Sequence, residues 1–304
     1  MAGILEGIEG SHELEEMVTQ SADALKANGR LFEAIDMYRK ANRHWQAGEL
    51  LSQLADHMLA SHGDTLSMEW LCQIQKLYVL SACELARVEN VSLHAVSLSQ
   101  QALAKDPWRK ARAFYYFIKA LCGAEEDKST ESLHAALIAS RYEHLLPRRA
   151  LYALLALTAL KAGYYATCSG AFGKLALLSP ASSRDVADLL PFSPMQHLAM
   201  HLFVDKAPFT DPPVPSVRCQ ACGSSVSETV LMARGEGDCP TCEAPIPLCL
   251  RTGRPLSTAA QSWRCTTCHH STSFSSEMEE GTSSERVCAL CHFRTDQTVP
   301  VQAL

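Results

Sequence analysis

At 304 residues, 47% of them hydrophobic, the chain is long enough to bury a sizeable core and to form about two domains. A net charge of −6 argues against a nucleic-acid grip, and the longest mostly apolar run, Ala150 to Leu160, is too short to cross a bilayer. Nothing from Met1 to Gly10 resembles a signal peptide, so the chain reads as cytosolic and its thirteen cysteines as reduced.

From Ser11 to Lys206 apolar residues recur at helical spacing without strand-like alternation, which predicts a region that is almost all α. Leu31, Ile35, Tyr38 and Ala41 make one stripe, and Leu50, Leu54, Met58 and Leu59 a second, with a short turn over 42–44. Helices are expected at about 11–27, 30–40, 44–61, 66–87, 91–104, 107–122, 129–140, 147–162, 164–178, 182–190 and 194–205. Punctuation sets the breaks: Pro107, Pro147 and Pro194 suit a first helical turn, Asp106 and Ser193 suit N-caps, and Ser182-x-x-Asp185 resembles a capping box. Gly29, Gly63, Gly123 and Gly163 fall where one helix should stop and another begin.

The repeat signal is strongest at Tyr152-x2-Leu155-Ala156, Gly163, Cys168-x3-Phe172 and Pro180, the landmarks of a tetratricopeptide unit. Gly29, Ala34-x3-Tyr38 and Ala41 echo its second half. Such helix pairs bury their apolar faces only by stacking, so residues 1–206 are expected to form a tetratricopeptide-like solenoid that binds other proteins. Residues 1–10 offer no cap, which predicts a preceding helix pair in a longer parent chain.

Other features of this region read as structural. His197-x3-His201 has helical chelate spacing but lacks the adjacent glutamate of a metalloprotease. Trp45, Tyr78, Trp108 and the Phe114 to Phe117 cluster read as packing residues, and Cys72, Cys83, Cys122 and Cys168 as core.

Pro208, Pro212, Pro213 and Pro215 crowd residues 207–216, a segment expected to be an extended linker. Beyond it four Cys-x-x-Cys pairs follow one another: Cys219/Cys222, Cys239/Cys242, Cys265/Cys268 and Cys288/Cys291. Sixteen residues separate the first two pairs and nineteen the last two, the spacing of two zinc ribbons in tandem. Two thiolates from each tight turn would complete a tetrahedron around one Zn²⁺ with no open position, so two structural zinc ions and no hydrolysis are expected. Ribbon one is placed at 217–248 and ribbon two at 249–304, with a mobile Ser/Glu-rich loop over 271–286. Cys249 is either a small buried side chain or an additional ligand, and His269, His270 or His292 could replace a thiolate. Residues 216–304 carry seven arginines, no lysine and nine acidic residues, too little positive charge for a nucleic-acid module.

With these residues in view, the chain resembles the C-terminal portion of the WD-repeat subunits of intraflagellar transport complex A. Ala34 to Leu51, Lys76 to Leu80, Arg141 to Pro147 with Leu151 to Leu155 and Ala166 to Leu175, and Cys249 to Leu256 with Trp263 to His270 and Cys288 to His292 carry the resemblance. It implies a non-enzymatic scaffold of retrograde transport, cilium assembly and ciliary protein entry, located in cytoplasm, cilium or flagellum and basal body. Its implied partners are the other subunits of that complex and, indirectly, membrane-protein cargo. The family's zinc ligands carry over onto Cys265, Cys268, Cys288 and Cys291, and onto Cys219, Cys222, Cys239 and Cys242, with Trp263 packing beside the second site. No Trp-Asp repeat occurs, so the family's propellers have no counterpart here, and the sequence reads as a piece of a longer parent or a short divergent product. The alternative from another class is a RING-like ubiquitin ligase or another zinc-headed trafficking solenoid; a RING would interleave its cysteine pairs, whereas the 22 residues between Cys242 and Cys265 favour consecutive sites.

Overall fold

A computed structural model describes residues 2–62, 67–91, 98–126, 128–178, 210–233, 238–256, 262–273, 286–295 and 299–300. The described chain is mostly helical. Helices α1 (Ala2–Ala27), α2 (Leu31–Lys40), α3 (His44–His62), α4 (Met68–Val91), α5 (Leu98–Glu125), α6 (Ser129–Ser140), α7 (Arg148–Lys161) and α8 (Tyr165–Leu177) precede a short α9 (Glu228–Ala233). Short antiparallel strands follow the helices: β1 (Ser216–Arg218) with β2 (Ser225–Ser227), β3 (Ser262–Arg264) with β4 (Ser271–Ser273) and β7 (Val299–Pro300), and β5 (Arg286–Val287) with β6 (Arg294–Thr295). No helix among the described residues is long and apolar enough to cross a membrane. Two compact units divide the chain: Met1–His62 with Gln73–Ala111, and Gly63–Cys72 with Arg112–Leu304.

In the first unit α1 packs on α2 and α2 on α3, burying Ala34, Ile35, Tyr38, Ala47 and Leu50. The turns between these helices are of one kind. Arg30 N–H donates to Leu25 O (3.0 Å) and Arg43 N–H to Tyr38 O (2.8 Å), closing Schellman motifs around residues with positive φ, Gly29 (76°) and Asn42 (54°). Asn42 can stand where glycine is usual because its short polar side chain tolerates the left-handed region. Inside this unit Glu84, 4% exposed, lies 2.9 Å from Arg39 Nε, 2.9 Å from His44 Nδ1 and 3.5 Å from Arg87 Nη1.

In the second unit α6 packs on α7, α7 on α8 and α9 on α6, around the fully buried Leu133, Ile138, Leu151 and Leu154. Tyr164 N–H donates to Ala159 O (2.8 Å) past Gly163 (φ 77°), the same turn again, and Cys168 Sγ lies 3.3 Å from Ala156 O across the α7/α8 hairpin. The landmarks at Tyr152, Leu155, Ala156, Gly163 and Cys168 thus sit where a tetratricopeptide hairpin needs them. Asp211, from the proline-rich segment, accepts from Ala166 N–H (2.9 Å), Thr167 N–H (3.2 Å) and Thr167 Oγ1 (2.7 Å). It thereby caps α8, whose own N-cap residue, Tyr164, makes no side-chain cap bond. The described part of the proline-rich segment, 210–216, is therefore tied back onto a helix of the second unit at Asp211.

Several local expectations are corrected. Pro107 starts no helix: it is buried inside α5, and Asp106, expected as a cap, pairs with Lys110 at 3.2 Å. A proline inside a helix forfeits one backbone bond, and the buried Ala111, Phe114 and Phe117 hold α5 together past it. Gly123 ends nothing either; it lies in the last turn of α5, where an added Cβ would come 3.1 Å from Ser132 Cβ. Of the four scattered cysteines only Cys168 is buried; Cys72 is exposed and Cys83 and Cys122 are half-buried. Ser271–Ser273 form β4 and not the start of a loop, held by Leu250 N–H donating to Ser271 O (2.9 Å). The expected helices 182–190 and 194–205, Gly63, Pro180, Ser182, Asp185, Ser193, Pro194, His197, His201 and the rest of the expected loop, 274–285, lie outside the described residues.

Candidate metal centres

Each Cys-x-x-Cys pair sits on a knuckle of one geometry. The first cysteine donates its N–H to the carbonyl five residues on: Cys219 to Ser224 (2.8 Å), Cys239 to Ala244 (2.9 Å), Cys265 to His270 (2.9 Å) and Cys288 to Phe293 (3.0 Å). The residue four positions on returns an N–H to the cysteine carbonyl and adopts positive φ: Gly223 (72°), Glu243 (58°), His269 (58°) and His292 (55°). Three of those four carry side chains, so the knuckle accepts left-handed strain in order to bring two sulfurs to one point. A short ladder supports each turn: β1/β2, the Asp238↔Pro245 bridge, β3/β4 and β5/β6.

These knuckles bring the eight sulfurs into two quartets, Cys219, Cys222, Cys239, Cys242 and Cys265, Cys268, Cys288, Cys291. Within each quartet every sulfur lies within 4.8 Å of the others. The quartets are consecutive in sequence, unlike the interleaved order of a RING. Cross-knuckle distances are 3.7 Å for Cys219–Cys242, 3.7 Å for Cys222–Cys239, 3.6 Å for Cys265–Cys291 and 3.5 Å for Cys268–Cys288. A Zn–S bond of about 2.3 Å makes the edge of a regular tetrahedron about 3.8 Å, so both quartets fit a zinc ion. None of the thirteen cysteines is in a disulfide.

The sulfurs of the second quartet perturb one another's ionisation. Cys265 is driven far below the usual thiol range, first by hydrogen bonding from Cys268, and Cys268 is pushed far above it, first by Cys265. Four sulfurs this close cannot all ionise unless a cation sits among them. In the first quartet the Ser224 hydroxyl, 3.4 Å from Cys239 Sγ, is the main reason that thiol is drawn down to about 5.

A fifth knuckle, which counting Cys-x-x-Cys pairs does not reveal, follows the first ribbon. Cys249 N–H donates to Arg254 O (2.7 Å), Gly253 N–H returns to Cys249 O (2.7 Å), Gly253 has φ 73°, and the Leu248↔Pro255 bridge supports the turn. Thr252 stands in the second ligand position. Cys249 is 1% exposed and belongs to neither quartet; its sulfur accepts from Ser273 N–H (3.3 Å) and Thr252 N–H (3.4 Å) and lies 3.2 Å from Ser273 Oγ. Burial opposes ionisation of this thiol, but the Ser273 and Thr252 groups together draw it below its usual range. Of the two readings of Cys249, the geometry gives the buried side chain. His269, His270 and His292 likewise stand outside both quartets: two supply the left-handed knuckle positions, and His270 is held well below the usual imidazole range by burial. The sequence signal of the fifth knuckle is a glycine four residues after an isolated cysteine, as in Cys219…Gly223.

Helices of the second unit seat these modules. Arg141, at the end of α6, donates to the carbonyl oxygens of Leu231 and Met232 in α9, and the core behind the first quartet is Val226, Leu231 and Ile246. A Cβ on Gly253 would come 2.8 Å from Ile138 Cδ1, so the fifth knuckle lies directly against α6. Tyr115 of α5 is pushed up to about 12, mainly by burial and then by the charge of the Cys249 and Cys288 thiolates. Trp263 of β3 is 4% exposed, a packing residue.

Comparison with known families agrees along most of the chain. Models described as WD repeat-containing protein 35, TPR repeats, as IFT121-like, TPR repeats, and as IFT121, second zinc finger domain match residues 12–87, 105–210 and 247–296. Those models describe repeat and zinc-finger domains of IFT121 and WD repeat-containing protein 35. WD repeat-containing protein 35 of Homo sapiens is 29% identical over 303 residues, covering 92% of this chain and 22% of that protein. Its counterparts in Rattus norvegicus and Mus musculus are each 27% identical over 308 residues, covering 93% of this chain and 23% of theirs. The chain therefore spans about a fifth of the length of these relatives. The second-zinc-finger model of the IFT121 family starts at 247 and so takes in the fifth knuckle together with the second quartet.

Proposed function

We propose that this chain is a non-enzymatic scaffold part of intraflagellar transport complex A. Its helical hairpins contact neighbouring subunits, and two structural zinc ions fix its C-terminal modules. One zinc is held by Cys219, Cys222, Cys239 and Cys242, and the other by Cys265, Cys268, Cys288 and Cys291. Retrograde transport, cilium or flagellum assembly and ciliary protein entry, at the cilium, basal body and cytoplasm, follow from the same reading. The observation that carries it is the likeness to WD repeat-containing protein 35 along 92% of the chain, repeats and zinc finger included. The chemistry is consistent: four thiolates per ion leave no position for water or substrate, and the consecutive quartets speak against the ubiquitin-ligase alternative. The residues' own task is to present sulfur pairs on rigid turns; the metal, when bound, supplies cross-linking free energy on the order of 10 kcal/mol.

The test is a pull-down of complex A subunits with the purified, zinc-loaded chain. Retention of at least one of them is expected. Retention of none would remove the scaffold reading, and ubiquitin discharge abolished by Cys265→Ser would replace it.

A further inference from the structure

The two quartets are unequally reachable. In the first, Cys219 and Cys239 are 2% and 1% exposed and back onto Val226, Leu231 and Ile246, while Cys222 and Cys242 are exposed. In the second all four are buried, at 1%, 5%, 0% and 7% for Cys265, Cys268, Cys288 and Cys291. The neighbouring Leu290 and Trp263 are buried too, at 0% and 4%. The knuckles themselves are the same, so the difference lies in what covers them and not in how the sulfurs are held.

From this asymmetry, and resting on the zinc reading above, we infer that the Cys219–Cys242 quartet is an exchangeable, thiol-reactive zinc site, whereas the Cys265–Cys291 quartet is locked. Metal leaves a four-thiolate site by ligand substitution: an incoming chelator or thiol must reach the ion, or an electrophile must reach a sulfur. At the first quartet two of four ligands meet solvent in the folded state. At the second, access requires local opening of the packing around Trp263 and Leu290, and exchange then carries the free energy of that opening. Thiolate reactivity follows the same exposure rule. The acceptors this site would serve are zinc-binding chelators and soft electrophiles. The locked site keeps the second zinc module folded while the first gives up its ion.

Elemental analysis of the purified chain comes first, followed by zinc release into excess 4-(2-pyridylazo)resorcinol and timed labelling with N-ethylmaleimide read by peptide mass. Each labelling event forms one C–S bond across the maleimide double bond and takes one proton from water. Two release phases are expected, the first at least about tenfold faster than the second, with Cys222 and Cys242 labelled in the fast phase and Cys265, Cys268, Cys288 and Cys291 in the slow one. Release of both ions in one phase, or labelling of the second quartet first, would overturn the inference and leave the zinc reading standing. A chain with no bound zinc would overturn the zinc reading and this inference with it. Cys222→Ser should bind one zinc per chain, and that zinc should leave only in the slow phase. Fast release from this variant would also overturn the proposal.

Discussion

Arg141 donates its Nε–H to the carbonyl oxygen of Met232, 91 residues further on, and a second guanidinium N–H to Leu231. A helix of 6 residues such as α9 has more terminal carbonyls than intrahelical donors, and the planar fork of an arginine satisfies two of them at once. Burial draws the guanidinium down to about 10, still charged at neutral pH. Arg141→Ala should destabilise the second unit by about 2–3 kcal/mol, since charged hydrogen bonds are lost and two carbonyls are left buried. Arg141→Lys should recover only part of this, because an ammonium replaces the fork by a point charge. Urea unfolding of the zinc-loaded proteins checks it; a lysine variant as stable as the parent would show that the fork does not matter.

How much of this was readable in the sequence depends on how local the signal is. Cys-x-x-Cys is a local pattern, and the 16- and 19-residue separations give the consecutive quartets. The Schellman turns at Gly29 and Gly163 are equally local, because only a left-handed residue closes them. Pro107 misled because a local rule favours a helix start, while the decisive term is burial of Phe114 and Phe117 further along α5. Arg141 and Asp211 make contacts 91 and 45 residues away, and no periodicity reports such a pairing. The fifth knuckle leaves no Cys-x-x-Cys signature because Thr252 stands in place of the second cysteine, while the turn itself is kept by Gly253.

Asp211→Ala should remove the cap of α8 and weaken its first turn, where Ala166 and Thr167 N–H groups would be left to solvent. The expected loss is about 1 kcal/mol, within the range for capping residues. Asp211→Asn, which can still accept at the cap, should lose less. Amide hydrogen exchange localises the effect: protection should fall at the start of α8 and stay unchanged in α2. An unchanged α8 in the alanine variant would refute the capping role.

Glu84 is nearly buried and faces Arg39, His44 and Arg87 within the first unit. Glu84→Gln keeps the shape but removes the counter-charge, leaving the guanidinium groups of Arg39 and Arg87 without this carboxylate. A loss of about 2–3 kcal/mol is expected, lessened by salt, which screens the charge pairing that the variant gives up. Zinc content should not move, since this cluster belongs to the first unit and both quartets to the second. Thermal unfolding at low and high salt, with metal analysis, tests both halves; a variant as stable as the parent at low salt would show the cluster to be energetically idle.

His134 gives the second unit an acid limit. It sits on α6, 8% exposed, beside the fifth knuckle, where a Cβ on Gly253 would come 3.7 Å from its own Cβ. Its imidazole is held below the usual 6.5, first by burial and then by the charge of Arg254, with Glu131 acting in the opposite direction. The neutral ring is therefore the one the fold accepts. Stability from this group is fully present above the unfolded value of 6.5 and is lost as pH falls through the lower folded value. Unfolding midpoints of the zinc-loaded protein should decline as pH falls through and below 6.5, and less steeply in His134→Gln, which has no proton to take up. Proton competition for the zinc thiolates adds a decline common to both proteins. The difference in slope between them thus isolates His134, and identical slopes would mean that the buried ring does not couple α6 to pH.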